Sequence, residues 1–346
     1  MILPNPKYAF ISAYLKGAEP RIVGSDHIGR MSAAADVADA LAAIRDTDVG
    51  GYLEEKQIDS FDDVDRYLWE HFTQRIDDVE AFRFLPGDIL KISRAYVTKY
   101  DVLNIKSVLR GLSAGRKARA VPAGVIYRNG LLDKLIAAES TEDIIQLLVD
   151  CELGNFAYIL KEYNAEGDAR AKFIAEAMLD SEYFKNVLHV TERIKDGAVF
   201  AKALGVCIDL ANLQIVTRAI VDGLGINAME HVIGGGYLLT EEEIKGLVVL
   251  RLSDLPQRME NAQYRSAVEE LLSVYDGNRD IAIVEEVLGR HKFRLLKDML
   301  SPRILSPLVM AWYLITKEAE MRNLRLILKA KFDGFPVEEI SGYLVL

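Results

Sequence analysis

The sequence predicts an all-helical protein made of three related units, and two observations carry that reading. Apolar residues recur at intervals of three and four, the period of a helix face, while the strict alternation of a half-buried strand is nowhere sustained. A signature built around one asparagine also returns at spacings of 108 and 111 residues, as in a repeat architecture. The 346 residues suffice for two or three domains of roughly 100–200 residues. Half are hydrophobic and 27% are charged, a composition that buries a core.

Taken in chain order, the first element of the repeat is Ala33 to Tyr52. It aligns without a gap on Ala137 to Phe156, 104 residues further on. Asp39 meets Asp143, Asp46 meets Asp150, Gly50 meets Gly154, and Tyr52 meets Phe156. Ser60-Phe-Asp-Asp63 and Ser140-Thr-Glu-Asp143 have the form of helix capping boxes, in which hydroxyl and carboxylate satisfy each other's backbone N–H. After Ser60, the residues Val64, Leu68, Phe72 and Ile76 define one apolar helix face. Ile89, Ile92, Tyr96, Tyr100 and Leu103 define the next.

The asparagine signature reads acid-x-x-Asn-apolar-x-x-apolar-x-basic. Its copies run Asp101, Asn104, Ile105, Val108, Arg110; Asp209, Asn212, Leu213, Val216, Arg218; and Glu320, Asn323, Leu324, Ile327, Lys329. A glycine with an apolar pair follows each copy, at Gly130, Gly236 and Gly342, spaced by 106 residues each time. The expected units are 1–128, 129–235 and 236–346. Asparagine competes for backbone hydrogen bonds inside a helix. Its return in three equivalent helices points to a shared structural task, such as a buried hydrogen bond between neighbouring helices.

Lys106, Arg110, Arg218, Arg325 and Lys329 stand two or six positions after these asparagines. Positions four apart share a helix face. Two readings stand side by side: an ordinary solvated face, or a basic socket for an acidic partner if the three faces converge.

Composition excludes several function classes. Lys plus Arg is 42 against 52 for Asp plus Glu, a net charge of −10, whereas a general nucleic-acid binder is basic. Two cysteines without a CxxC spacing fit a reducing compartment. No run reaches the ~18 uninterrupted apolar residues of a membrane span. The longest candidate, between Arg303 and Lys317, is interrupted by Ser306 and Pro307. The N-terminal residues lack the basic and apolar regions of a signal peptide. A cytoplasmic protein is expected, reaching a membrane only through a partner.

The chemical motifs fail on context. Gly223-Leu-Gly225-Ile-Asn-Ala228 fits GxGxxA, but a dinucleotide site needs a preceding strand. Gly111-Leu-Ser-Ala-Gly115-Arg116-Lys117 lacks the spacing and ending of a phosphate loop and reads as a solvated basic turn. Gly234-Gly235-Gly236 reads as a hinge. Asp62-Asp63-Val-Asp65 has the wrong spacing for a diphosphate-binding DDxxD and suits the first turn of a helix, where the dipole favours acids. The five histidines show no metal-ligand spacing. No catalytic, cofactor-binding or metal-binding residues are expected.

The repeat brings a resemblance. Lys317-Glu-Ala-Glu320-Met-Arg322-Asn323-Leu-Arg325-Leu-Ile327, with Gly342-Tyr343-Leu344, resembles the C-terminal signature of the C subunits of A-type ATP synthases, the family that includes the d subunits of V-type ATPases. Tyr100 to Lys106 is similar to that family's first-repeat motif, and Ala35–Tyr52 to its N-terminal unit. The resemblance implies a non-catalytic rotor component with no cofactor and no bound nucleotide. It implies three helical domains around a pseudo-threefold axis, forming a funnel peripheral to the membrane. The central-stalk subunits would insert into that funnel and the proteolipid ring would lie beneath it, with the five basic residues as candidate stalk contacts. The alternative is a free-standing helical-repeat adaptor.

Overall fold

The computed structural model describes residues 6–162, 169–221, 223, 232–278 and 282–345. Among them there are helices and no strands, as expected. In chain order the α-helices are α1 (Ala9–Ala18), α2 (Ser25–Ala33), α3 (Val37–Ala42), α4 (Asp48–Glu54), α5 (Phe61–Glu80) and α6 (Gly87–Ala114). They continue with α7 (Val125–Arg128), α8 (Leu132–Ile136), α9 (Thr141–Asp150), α10 (Gly154–Glu162), α11 (Ala169–Thr191) and α12 (Gly197–Val221). The last are α13 (Glu241–Leu247), α14 (Leu255–Arg258), α15 (Ala262–Asn278), α16 (Ala282–Leu300) and α17 (Leu308–Asp333).

Local chemistry starts several of these helices. Ser60 Oγ accepts the Asp63 N–H at 3.3 Å, and the Asp63 carboxylate accepts the Ser60 N–H at 3.1 Å, so α5 opens with the expected capping box. Ser140 and Asp143 do the same for α9. Thr240 and Glu243 build a third box at α13, beyond the two that the sequence predicts. The Val64, Leu68, Phe72, Ile76 stripe of α5 is no more than 2% exposed.

The α6 stripe departs from expectation at its end. Ile89, Ile92, Tyr96 and Tyr100 are buried, but Leu103 is 45% exposed. The inward positions of that turn belong to Asp101 and Asn104, both fully buried. An apolar pattern extrapolated across polar inward positions therefore lands on the outer face.

The described residues group into two compact units. One comprises Met1–Ser93 with Leu296–Leu346, the other Arg94–Leu295. In the first, α17 packs on α5 and also meets α1, α2 and α3. Its opening run, Leu308 to Leu314, is buried on every side, as a helix apolar all round must be. The longest membrane-span candidate offered by uninterrupted apolar runs is thus part of this unit's core.

In the second unit, α12 packs on α11 and α13. By length and composition α12 is the one helix among the described residues that meets the requirement for crossing a bilayer, although most of it is buried. A search for uninterrupted apolar runs misses it because Asp209 and Asn212 interrupt it. Both side chains are buried and bond to backbone of the same unit, so α12 is a core helix.

Candidate functional site

The residues singled out by the signature lie on α6, α12 and α17, and their asparagines do the same thing in each. The Asn104 amide donates to the Val121 carbonyl at 2.9 Å and accepts the Val121 N–H at 2.7 Å. Asn212 makes the same pair with Ile233, at 2.9 Å both ways. Asn323 makes it with Val345, at 2.6 and 2.8 Å. A side-chain amide presents one acceptor and two donors on one plane, a match for a single residue's own N–H and C=O. The partner in each case is a non-helical residue returning past the helix. The bond therefore joins helix to loop, where a helix-to-helix bond was expected.

The acids three positions earlier bind backbone as well. Asp101 accepts the N–H groups of Val125 and Ile126 at 2.8 and 2.9 Å, at the start of α7. Asp209 accepts those of Tyr237 and Leu238 at 3.1 and 2.8 Å, and the Tyr264 hydroxyl at 2.8 Å. Glu320 accepts the Val23 N–H at 2.7 Å and the Lys317 ammonium at 2.8 Å. Burial pushes the Asp101 carboxyl up to about 7, against the pull of its two N–H donors. Burial likewise raises Asp209.

The glycines are less uniform than their spacing. A Cβ on Gly236 would lie 2.2 Å from Asp209 Oδ1, so that glycine lets the turn close on the acid. The glycine in that position beside Asp101 is Gly124, where a Cβ would lie 2.4 Å from Oδ1 and φ is +99°. Gly130 instead follows α7 with φ +69° and open space around it, and Gly342 also faces open space. Of the three expected glycines, only Gly236 touches its acid. Spacing alone does not single out Gly124, because it does not report which backbone approaches a side chain.

Lys317 and Glu320 form an ion pair whose side chains are only 2% and 3% exposed. His71 lies in the same unit, and burial, followed by the charges of Lys317 and Arg75, pulls its imidazole down to about 3. The unfolded chain then binds the extra proton between about pH 6.5 and 3, so this group withdraws stability as pH falls through that window. The His71 ring resonances are expected to stay put while pH is lowered through 6.5 in the folded protein. An ordinary titration in NMR would refute the buried neutral ring.

Of the five basic residues proposed for a socket, Lys106, Arg110, Arg325 and Lys329 pair with carboxylates of their own unit. Lys106 binds Asp180 of α11 at 2.7 Å, and Arg110 Nε binds Glu176 of α11 at 2.7 Å. Arg325 pairs with Asp65 of α5 and stands over the Trp69 ring, while Lys329 binds Asp333 at 2.9 Å and stands over Phe61. Arg218 is exposed. The carboxylates on α5 and α11 cancel much of the positive field that a row of bare cations would project. Arg110, 62% exposed, belongs to the class of pairs worth about 0–1 kcal/mol. Arg110→Glu should lower the urea midpoint slightly, and Arg110→Glu with Glu176→Arg should recover it. No recovery in the swapped variant would refute the pairing.

Among the described residues no three His, Cys, Asp or Glu side chains gather as a metal site. The glycine motif from Gly223 to Ala228 lies outside the described residues apart from Gly223 itself, whose φ is +66°. Cys151 is buried, and that burial raises its thiol.

The chain matches a family model and several known proteins. Residues 11–343 match the model of the family described as ATP synthase (C/AC39) subunit. The chain is similar to the A-type ATP synthase C subunit of Methanocaldococcus jannaschii, at 22% identity over 100% of this chain and 88% of that one. It is similar to the C subunit of Methanothermobacter thermautotrophicus, at 25% identity over 81% and 74%. For that of Methanosphaera stadtmanae the figures are 26% over 86% and 85%.

Proposed function

Because the chain belongs to the ATP synthase (C/AC39) subunit family, as a non-catalytic component, we propose that it is the rotor piece joining the central stalk of an A/V-type rotary ATPase to the membrane proteolipid ring. The observation that carries this reading is the extent of the match, which runs from residue 11 to 343 of 346. In this role the chain performs no chemistry. It transmits torque, and it reaches the membrane through the ring, on the cytoplasmic side.

Torque transmission demands that helices hold their loops without slipping. The three asparagine pairs supply such fastening, each joining a long helix to a returning segment by two opposed hydrogen bonds. Their likeness supports an organisation in three copies, with units 1–128, 129–235 and 236–346 around a pseudo-threefold axis and the stalk in a central funnel. Lys106, Arg110, Arg218, Arg325 and Lys329 would then be stalk contacts acting through pairs that exchange partners, with electrostatics giving orientation and rate more than affinity.

The test is reconstitution. The full chain is mixed with the central-stalk subunits and the detergent-solubilised ring of the same organism, and the products are separated by native mass spectrometry. A complex containing stalk, chain and ring is expected. A chain that stays apart from both would favour the helical adaptor and overturn the rotor reading.

A further inference from the structure

We propose that a groove at the C-terminal end of α6 docks an acidic peptide segment of a partner protein, one that inserts an apolar side chain. The groove has a volume of about 310 Å³ and is built from three pieces of the second unit. The α6 wall supplies Val108 and Leu112, the end of α8 and the connection to α9 supply Ile136, Ala138 and Glu139, and the turn after α6 supplies Arg116 and Lys117. This volume lies at the low end of the ~300–1,000 Å³ typical of ligand pockets, suited to a few side chains rather than a large cofactor.

The charge on this turn is available in a way that the charges on the α6 face are not. Lys106 and Arg110 are held by Asp180 and Glu176. Arg116 and Lys117 are exposed and have no ion pair among the described residues. They are adjacent cations in a protein of net charge −10, and they border aliphatic walls. The chemistry complementary to this site is a carboxylate next to an apolar side chain. Glu139, from the separate α8–α9 segment, repels a carboxylate on its side and so selects the direction in which the segment lies.

The turn is also fixed in place. The Arg116 N–H donates to the Gly111 carbonyl at 3.1 Å, and Gly115 takes a left-handed φ of +60°. A Cβ on Gly111 would lie 2.8 Å from the Arg116 carbonyl oxygen, so the loop rests directly on the helix. A docking segment then meets a turn whose backbone is already ordered, so the ordering cost left on this side is that of the Arg116 and Lys117 side chains. This inference is independent of the rotor assignment, since it uses only the groove.

The experiment uses the full chain and a fluorescein-labelled peptide of alternating leucine and aspartate, followed by anisotropy. A leucine–lysine peptide serves as the control. The acidic peptide should bind and the basic one should not. Arg116→Glu with Lys117→Glu should weaken binding at least tenfold at low salt, and the gap should narrow at 1 M salt, where the Debye length is ~3 Å. Ala138→Trp, which fills the groove, should weaken binding at both salt concentrations. The variants are checked by circular dichroism, and these surface changes should leave the helices intact.

Equal binding by the charge-reversed variant overturns the proposal. So does unchanged binding by Ala138→Trp, which would mean that the walls are not used. Complete displacement of the peptide by inorganic phosphate at equal concentration would also overturn it, by identifying a simple anion site.

Discussion

Glu320→Ala is expected to destabilise the protein by about 3–5 kcal/mol, the range for removing one partner of a buried ion pair. Lys317 would be left with its ammonium buried at 2% exposure and no counter-charge. The Val23 N–H would lose its acceptor in the same step. Because an isolated buried charge costs more than the pair itself contributes, Lys317→Met combined with Glu320→Gln should recover much of the loss. Glutamine keeps an oxygen for Val23, and methionine fills the lysine's volume without its charge. Urea denaturation of the two variants checks this. A double variant no more stable than Glu320→Ala would refute the stranded-lysine account, because that variant removes the buried charge and restores an acceptor for Val23 together.

Asn212→Ala should cost about 2–4 kcal/mol, from two lost hydrogen bonds and two backbone groups left buried without partners, at about 1–3 kcal/mol per unsatisfied group. Both bonds to Ile233 are buried. Asn212→Asp is the sharper variant. Its carboxylate still accepts the Ile233 N–H but offers no donor to the Ile233 carbonyl, and it brings charge into a site already holding Asp209 on the same helix. Near neutral pH it should be at least as destabilising as alanine, and it should regain stability on acidification, when the protonated carboxyl can donate. Amide hydrogen exchange at Ile233 reports the bond directly. Unchanged protection there in Asn212→Ala would refute the fastening role.

Function was legible to the extent that it resided in pattern. The asparagine signature, the capping boxes at Ser60 and Ser140, and the absence of catalytic spacing are properties of short segments, and the family resemblance grew from those residues. The resemblance was confirmed at the level of the family. The apparent phosphate loop at Gly111 lacked the motif's ending, and its basic turn now borders a groove whose other wall comes from residues 136 to 139. No reading of the turn alone would have supplied that wall.

The sequence by itself determined the helices, because helical period and capping depend on residues a few positions apart. It also determined that Asn104, Asn212 and Asn323 share a task, since the pattern around them repeats. Only the tertiary structure decided what that task is. Val121, Ile233 and Val345 stand 17, 21 and 22 residues beyond their asparagines, and no local rule selects them. The same holds for Glu320, whose partner Val23 is 297 residues away, and for the choice of Gly124 over Gly130 beside Asp101. It also decided the fate of the basic face, because Asp180, Glu176 and Asp65 come from other helices. A side chain's charge is written in the chain, but the field it projects depends on which opposite charges folding brings within a few ångströms.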